Sequence, residues 1–258
     1  MLENHFKRQL VLFFLQDHIV FFTNKVDTSY HQHNYIQLTF ALERPFLLDV
    51  GNNAFQTEGV IIDSNKRHKI QGTNGWQLYL LINPESNFGE ALRQKLKETD
   101  DVYCFHFLTT EMKMVVQSIK SVNDQLKYES FLHTLKQSLG IQIETLENPI
   151  DQRVQQVLDY ITNKHLEKIK INELSRHVYL SESRLSHLFK KEMGISLTSY
   201  LLHEKLKRAF KLAFSGATMT DAALEAGFNS SSHFTRCARD KLGMTPSSIT
   251  KDSIYLKV

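Results

Sequence analysis

The sequence predicts an α+β chain: a β-rich barrel with flanking helices in front, and an all-helical back third built from two copies of one helix-turn-helix plan. Three observations predict it. Between Val11 and Ile82 short apolar runs, IVFFT, YIQLTFAL, PFLLDV, GVIID and WQLYLLI, are separated by turn clusters such as Gly51 to Asn53 and Gly72 to Gly75, the spacing of strands in a sandwich or barrel. After Asp151 the apolar residues recur by threes and fours, the helical period. Residues 171–194, INELSRHVYLSESRLSHLFKKEMG, then repeat their plan in residues 220–246, with Ser175 and Ala223 48 apart and both Leu185 to Phe234 and Gly194 to Gly243 49 apart.

A chain of 258 residues with 41% apolar content can bury one large core or two ordinary ones. Cys104 and Cys237 lack metal-ligand spacing and fall in separate units, which fits a reducing compartment. The apolar run Leu10 to Leu15 is cut by Gln16, Asp17 and His18 with no small-residue cleavage site after it, so neither a signal peptide nor a membrane span is expected, and the location is read as cytoplasmic. The net charge of +3 is unevenly divided: residues 1–149 carry 14 Lys/Arg against 17 Asp/Glu, and residues 150–258 carry 17 against 11. That division sends the back half, and not the front, to a polyanion.

Taking the elements in order, the strands lead to a helix from Glu85 to Lys97 that aligns Phe88, Leu92 and Leu96, and to a second from about Thr110. In the latter, Met112, Val115, Ile119, Val122 and Leu126 alternate by three and four, a seam that suits either a dimer contact or packing onto the barrel. A helix from Tyr128 to Leu139 ends at Gly140. Between Gly140 and Asp151 the period is lost and Pro149 forbids a continuous helix, which places the linker there and divides the chain into residues 1–145 and 150–258. Asp151 caps a helix whose core face is Val154, Val157, Leu158 and Ile161.

In the second repeat, Ala222, Ala223 and Ala226 face a core, Gly227 supplies a positive φ at the turn, and Phe228 plugs the corner. Asn229 or Ser230 caps a helix with a buried stripe of Phe234, Ala238 and Leu242. Opposite the stripe fall Ser232, Arg236 and Arg239, small hydroxyls beside long cations, as a helix entering a DNA major groove requires. In the first repeat Leu174 and Val178 belong to the first helix, Ser181 caps the second, and Leu185, Leu188 and Phe189 form its stripe. Ser183, His187 and Lys190 face away, flanked by Arg184 and Ser186. Lys205, Lys207 and Lys211, on the helix between the repeats, are either phosphate contacts or solvated charges.

Ala223, Gly227 with Phe228, Ser230, Phe234, Arg236 and the run Gly243-Met244-Thr245-Pro246 resemble the C-terminal signature of AraC/XylS-type transcription regulators, and FKKEMG followed by SLTSYL resembles its first unit. The chain departs from that pattern at Ala222, Ala238, Ile249 and Thr250. The resemblance, about 100 residues long, implies double-stranded DNA as partner, with base-edge contacts at Ser183, Ser186 and His187 and at Ser231, Ser232 and Arg236; His233 lies in the same stretch. It further implies dimerisation through helices in the position of the Met112 to Leu126 seam.

His31, Gln32, His33, the strand-like run after them, Gly59 and then His68 resemble the cupin barrel at the front of many such regulators. Three histidines on a small barrel invite a metal-dependent oxygenase reading. The Glu such cupins place after the paired histidines is missing, however; Gln37 stands nearby, with Glu43 further on. Neither metal nor cofactor is therefore expected, and His31, His33 and His68 are read as lining a small-molecule pocket or as structural groups. Trp76 is assigned to packing.

The expectation is a DNA-binding transcription regulator that is not an enzyme, controlled by a small molecule or partner acting on its front domain, homodimeric, and meeting RNA polymerase if it activates. The alternatives are a metal-dependent cupin enzyme with an attached DNA-binding module, and a regulator with no ligand.

Overall fold

A computed structural model describes residues 10–15, 17–24, 30–51, 53–72, 75–97, 99–122, 124–141, 150–163, 169–250 and 254–255. The expected linker falls mostly on residues 142–149, outside the described residues, and the boundary at 145 with it. The front of the chain runs β1 (Leu10–Phe14), β2 (His18–Thr23), β3 (Ile36–Ala41), β4 (Phe46–Val50), β5 (Asn53–Thr57), β6 (Gly59–Ile62), β7 (His68–Gln71), β8 (Gln77–Ile82), α1 (Asn87–Leu96), β9 (Val102–Phe105), α2 (Thr110–Ser118), a 3-10 turn at Ile119–Ser121 and α3 (Gln125–Ser138). Helices follow: α4 (Gln152–Asn163), α5 (Ile171–His177), α6 (Glu182–Met193), α7 (Leu197–Phe214), α8 (Met219–Glu225), α9 (Ser231–Leu242) and α10 (Pro246–Thr250), with a last strand, β10 (Ile254–Tyr255).

The β-rich front and all-helical back are as expected, but the strands form two sheets without closing into a barrel. One has the order β10-β1-β2-β8-β3-β6-β9 and the other β5-β4-β7. At one corner an isolated antiparallel bridge between His31 and His68 ties the small sheet to the segment leading into β3. Alternation along the strands explains why β2, β3, β6 and β8 are buried almost from end to end: both faces of the large sheet are covered. Val20, Phe22, Leu38, Phe40, Leu80 and Ile82 join one core with Phe88 and Leu92 of α1, Met112 and Val116 of α2, and Tyr128 and Leu135 of α3. Ile19, Phe21, Val60, Ile62, Tyr79 and Leu81 join a second core with Phe46, Leu48 and Ile70 of the small sheet. That second core also takes in Leu206, Phe210, Phe228, Phe234 and Leu242 from the back third. Trp76 packs beside Phe22, as expected.

The expected continuous seam does not form. The helix that starts at Thr110 ends at Ser118, passes through the 3-10 turn, and is resumed by α3, which Asp124 caps by accepting from the Lys127 backbone N–H at 2.9 Å. Met112, Ile119 and Val122 are buried in the chain's own core, Val115 is half-buried, and Leu126 is exposed on a different helix. Spacing by threes and fours fits a core-facing stripe equally well, and the apolar face of the large sheet provides the core. A buried polar set also fastens α3 to β2: His18 Nδ1 lies 2.6 Å from Asp17 Oδ1 and its Nε2 2.5 Å from the Tyr128 hydroxyl.

Candidate nucleic-acid interface and the histidine corner

Both repeats fold as planned. In the first, α5 ends at a corner where Tyr179 takes a positive φ of 55° with its side chain exposed, at the position matching Gly227 (φ 87°) in the second. Ser181 caps α6 by accepting from the Arg184 backbone N–H, and Ser230, the nearer of the two candidates, caps α9 by accepting from that of His233. Each helix ends in a left-handed glycine, Gly194 at φ 70° and Gly243 at φ 71°. Leu185 and Phe189 in α6, and Phe234, Ala238 and Leu242 in α9, are buried as the pattern required.

On the opposite faces Ser183, Arg184, His187 and Lys190 of α6, and Ser232, Arg236 and Arg239 of α9, are exposed. Ser231, Ser232, Thr235, Arg236 and Arg239 line one shallow groove, with Asp240 at its edge. The side chains of Arg184, Lys190, Arg236 and Arg239 have no ion-pair partner among the described residues, so their charge is available to phosphate or base edges. Two of the expected contacts are turned to local use: the half-buried His233 stands edge-on to Phe228, and the Ser186 hydroxyl donates to the Glu182 carbonyl. The helix between the units is sorted too. Lys205 donates to the Gly227 carbonyl at 2.8 Å and holds the second corner, Lys207 pairs with Glu204 at 3.4 Å, and Lys211 stays exposed.

A family model described as a helix-turn-helix domain matches residues 174–252. The probable transcriptional regulator LumQ of Photobacterium leiognathi is 27% identical over 231 residues, covering 84% of this chain and 90% of that protein. The arabinose operon regulatory protein of Escherichia coli (strain K12) is 36% identical over 108 residues, 40% of this chain and 36% of its own length. This chain is a helix-turn-helix transcriptional regulator whose back third is similar to that of the arabinose operon regulatory protein. Among solved structures, ToxT from Vibrio cholerae aligns over 91% of this chain and 97% of its own, with 11% identity and a TM-score of 0.49. The regulator spans 23% of the length of a helix-turn-helix-type regulator from Staphylococcus aureus (strain MRSA252), which is 28% identical over 170 residues.

In this regulator the second unit packs on the front sheets, a contact invisible to sequence periodicity. Phe14 meets His203 and Phe210 of α7 at 5.6 Å between ring centroids, the Tyr35 hydroxyl lies 3.3 Å from His203 Nδ1, and Lys241 Nζ sits 4.8 Å from the centre of the Tyr35 ring. Burial holds His203 well below the imidazole range, at about 3, and pushes the Tyr35 hydroxyl up. The first unit also touches the front, through Glu85, whose carboxylate accepts from the Ser196 backbone N–H at 2.9 Å.

The three predicted histidines do come together. Ring centroids are 4.4 Å apart for His31 and His68, 5.4 Å for His33 and His68, and 5.6 Å for His31 and His33. His33 and His68 are buried and His31 is half-buried. Burial lowers His33 to about 4 and His68 to about 3, so both rings are neutral at physiological pH. Directly over this corner sits the end of α9. A Cβ added at Gly243 would lie 2.6 Å from both Cδ2 and Nε2 of His31, whereas one at Gly194 would meet the Asn87 backbone nitrogen at 3.4 Å, an ordinary contact. The two glycines share one backbone conformation, so Gly194→Ala should show the left-handed penalty alone, about 1–2 kcal/mol. Gly243→Ala should cost roughly 1 kcal/mol more, and His31→Ala should remove that excess. Urea midpoints of the single and double variants check this; an equal loss at both glycines would show that His31 does not support the α9 cap.

Proposed function

We propose that α6 and α9 enter successive major grooves on one face of duplex DNA, and that the front half sets their availability through its contacts with the second unit. The observation that carries this reading is the pair of capped helices, each presenting cations without ion-pair partners opposite a buried stripe. Arg236 and Arg184 read bases, Ser183, His187, Ser231 and Ser232 add short or water-bridged contacts, and Lys190 and Arg239 hold phosphate. Backbone N–H groups at both helix starts add to the phosphate grip. An effector acts at His31, His33 and His68, beneath the α9 cap. The regulator works in the cytoplasm as a homodimer and performs no catalysis; where it activates, it meets RNA polymerase. Among the described residues no helix is long and apolar enough to cross a membrane. The division into a sensing part up to 145 and a DNA-binding part from 150 is retained as part of this proposal, with the second core joining them.

Footprinting the full chain on a bound operator tests the reading. Each protomer should protect two segments about one helical turn, roughly 10 base pairs, apart. A single short protected segment per protomer would mean that one unit reads DNA while the other serves structure.

A further inference from the structure

We propose that His31, His33 and His68 form a site for a divalent transition-metal ion, and that filling it shifts the C-terminal end of the second recognition helix. The site stands on cluster geometry; its effect on DNA rests on the DNA-binding reading above.

Four features build the site. One ring nitrogen from each histidine can be chosen so that all three lie within 4.8 Å of one another. The buried rings are oriented as metal-ligating imidazoles are: His33 Nδ1 donates to the Tyr35 carbonyl at 3.1 Å and His68 Nδ1 to the Lys66 carbonyl at 2.9 Å. His68's bond fixes its tautomer and leaves the lone pair on Nε2, whereas His33 Nε2 meets Gln37 Oε1 at 2.8 Å, a contact that a bound ion would replace. His68 Nε2 is buried with no hydrogen-bond partner among the described residues, an orphan that a packed interior rarely tolerates without a ligand or water. Finally, the backbones of His31 and His68 exchange a reciprocal pair of hydrogen bonds, 3.0 and 2.9 Å, so two of the three ligands are presented from a rigid frame.

The chemistry selects the ion. Three imidazoles suit zinc and its first-row neighbours and leave magnesium and calcium, which take oxygen ligands, unserved. The carboxylate whose absence argued against a metal is not required, because three imidazoles and a water complete a tetrahedral zinc site. The gap beside the cluster, lined by His31, Gln37, Tyr79, Leu242 and Met244 among others, has room for about one water molecule, which fits an ion and its water and excludes a sugar-sized effector. Gln37 Oε1, released from His33 Nε2 when the ion takes that nitrogen, stands where it can accept a hydrogen bond from that water.

Coupling follows from the distances. Tetrahedral ligand nitrogens at zinc are about 3.4 Å apart, so the rings must close up by roughly 1 Å from their present spacing. The buried rings and the paired backbones hold fast, and the half-buried His31 ring moves most. That ring lies against Gly243, the cap of α9.

The test uses the full chain, stripped with a chelator and titrated with zinc and with cobalt, whose visible spectrum reports tetrahedral nitrogen ligation. One ion per chain is expected, with affinity lowered at least about 100-fold in His68→Gln and in His31→Ala; the second variant, half-exposed, guards against a folding failure in the first. Zinc should also change operator affinity at least about 5-fold in the wild type and leave it unchanged in His31→Ala. Less than one ion per chain, or wild-type zinc affinity in folded His31→Ala and His68→Gln, would overturn the site. Stoichiometric zinc with unchanged operator affinity would overturn the coupling. A chain that binds zinc but no duplex at all would refute the DNA-binding reading while supporting the metal site, since the metal titration contains no DNA.

Discussion

Ile119→Asp should unfold the regulator and not merely dissociate it. Ile119 is fully buried at the turn between α2 and α3, in the core that includes Val116, Tyr128 and Leu135. Removing its apolar side chain costs about 2–5 kcal/mol, and placing an unpaired carboxylate there adds several more. Domains of this kind have about 5–15 kcal/mol in total, so the loss approaches the whole. Leu126→Asp makes the contrast. Leu126 is 79% exposed at the start of α3, and Met114, 68% exposed on α2, lines the neighbouring groove with Val115 and Phe131. A charge at Leu126 should leave the fold intact, within about 0.5 kcal/mol, and dissociate any dimer formed across this outer face. Circular dichroism with urea titration, and sedimentation velocity, separate the outcomes. A folded, soluble Ile119→Asp monomer would instead show that the stripe faces a second copy.

The contrast also shows what a spacing pattern conveys. Met112, Ile119 and Val122 announce a buried face, but threes and fours do not say whether the opposing surface belongs to another chain or to a sheet laid down earlier in this one. The strands were legible where both faces of the sheet are covered, because β2 and β8 then carry apolar runs of four and five residues. β5, NAFQT, gives no such signal, because it is an edge strand with mostly exposed side chains. At four residues each, β7 and β9 are too short for a period to register.

The residues of the proposed DNA face were legible for a different reason. Cap, stripe and cationic face are all local to a dozen residues, and the doubling at offsets of 48 and 49 ruled out coincidence. The histidine corner was half legible: the three residues could be grouped, but their meeting depends on a bridge between distant segments and their lid on the packing of α9 over the sheets. Phe234 and Leu242 were expected to serve a helical core of their own, and they also close the front domain's second core. Nothing in helical periodicity carries that information.

Raising salt should weaken operator binding steeply, and two variants should divide the loss into reading and holding. Affinity is expected to fall with a log–log slope of about −0.9 per phosphate neutralised, so engagement of about six phosphates, by the two cationic faces and the helix starts, would cost about 1,000-fold between 50 and 200 mM salt. Arg236 is exposed in the α9 groove beside Ser232, with a guanidinium that can bond a guanine edge through two N–H groups. Arg236→Ala should therefore cost about 1–3 kcal/mol on the operator, with little effect on random duplex, and flatten preference at one or two adjacent base pairs. Lys190 stands at the far end of α6, a single compact charge without a fork to match a base. Its replacement by alanine should weaken operator and random DNA alike and reduce the salt slope by about one. Titrations of both variants against the operator, single-base variants of it and random duplex, at several salt concentrations, resolve the two roles. Should Arg236→Ala lose equally on every sequence, Arg236 only grips the backbone. Specificity would then rest on Arg184, Ser183 and His187 of the first unit and on the shape of the DNA.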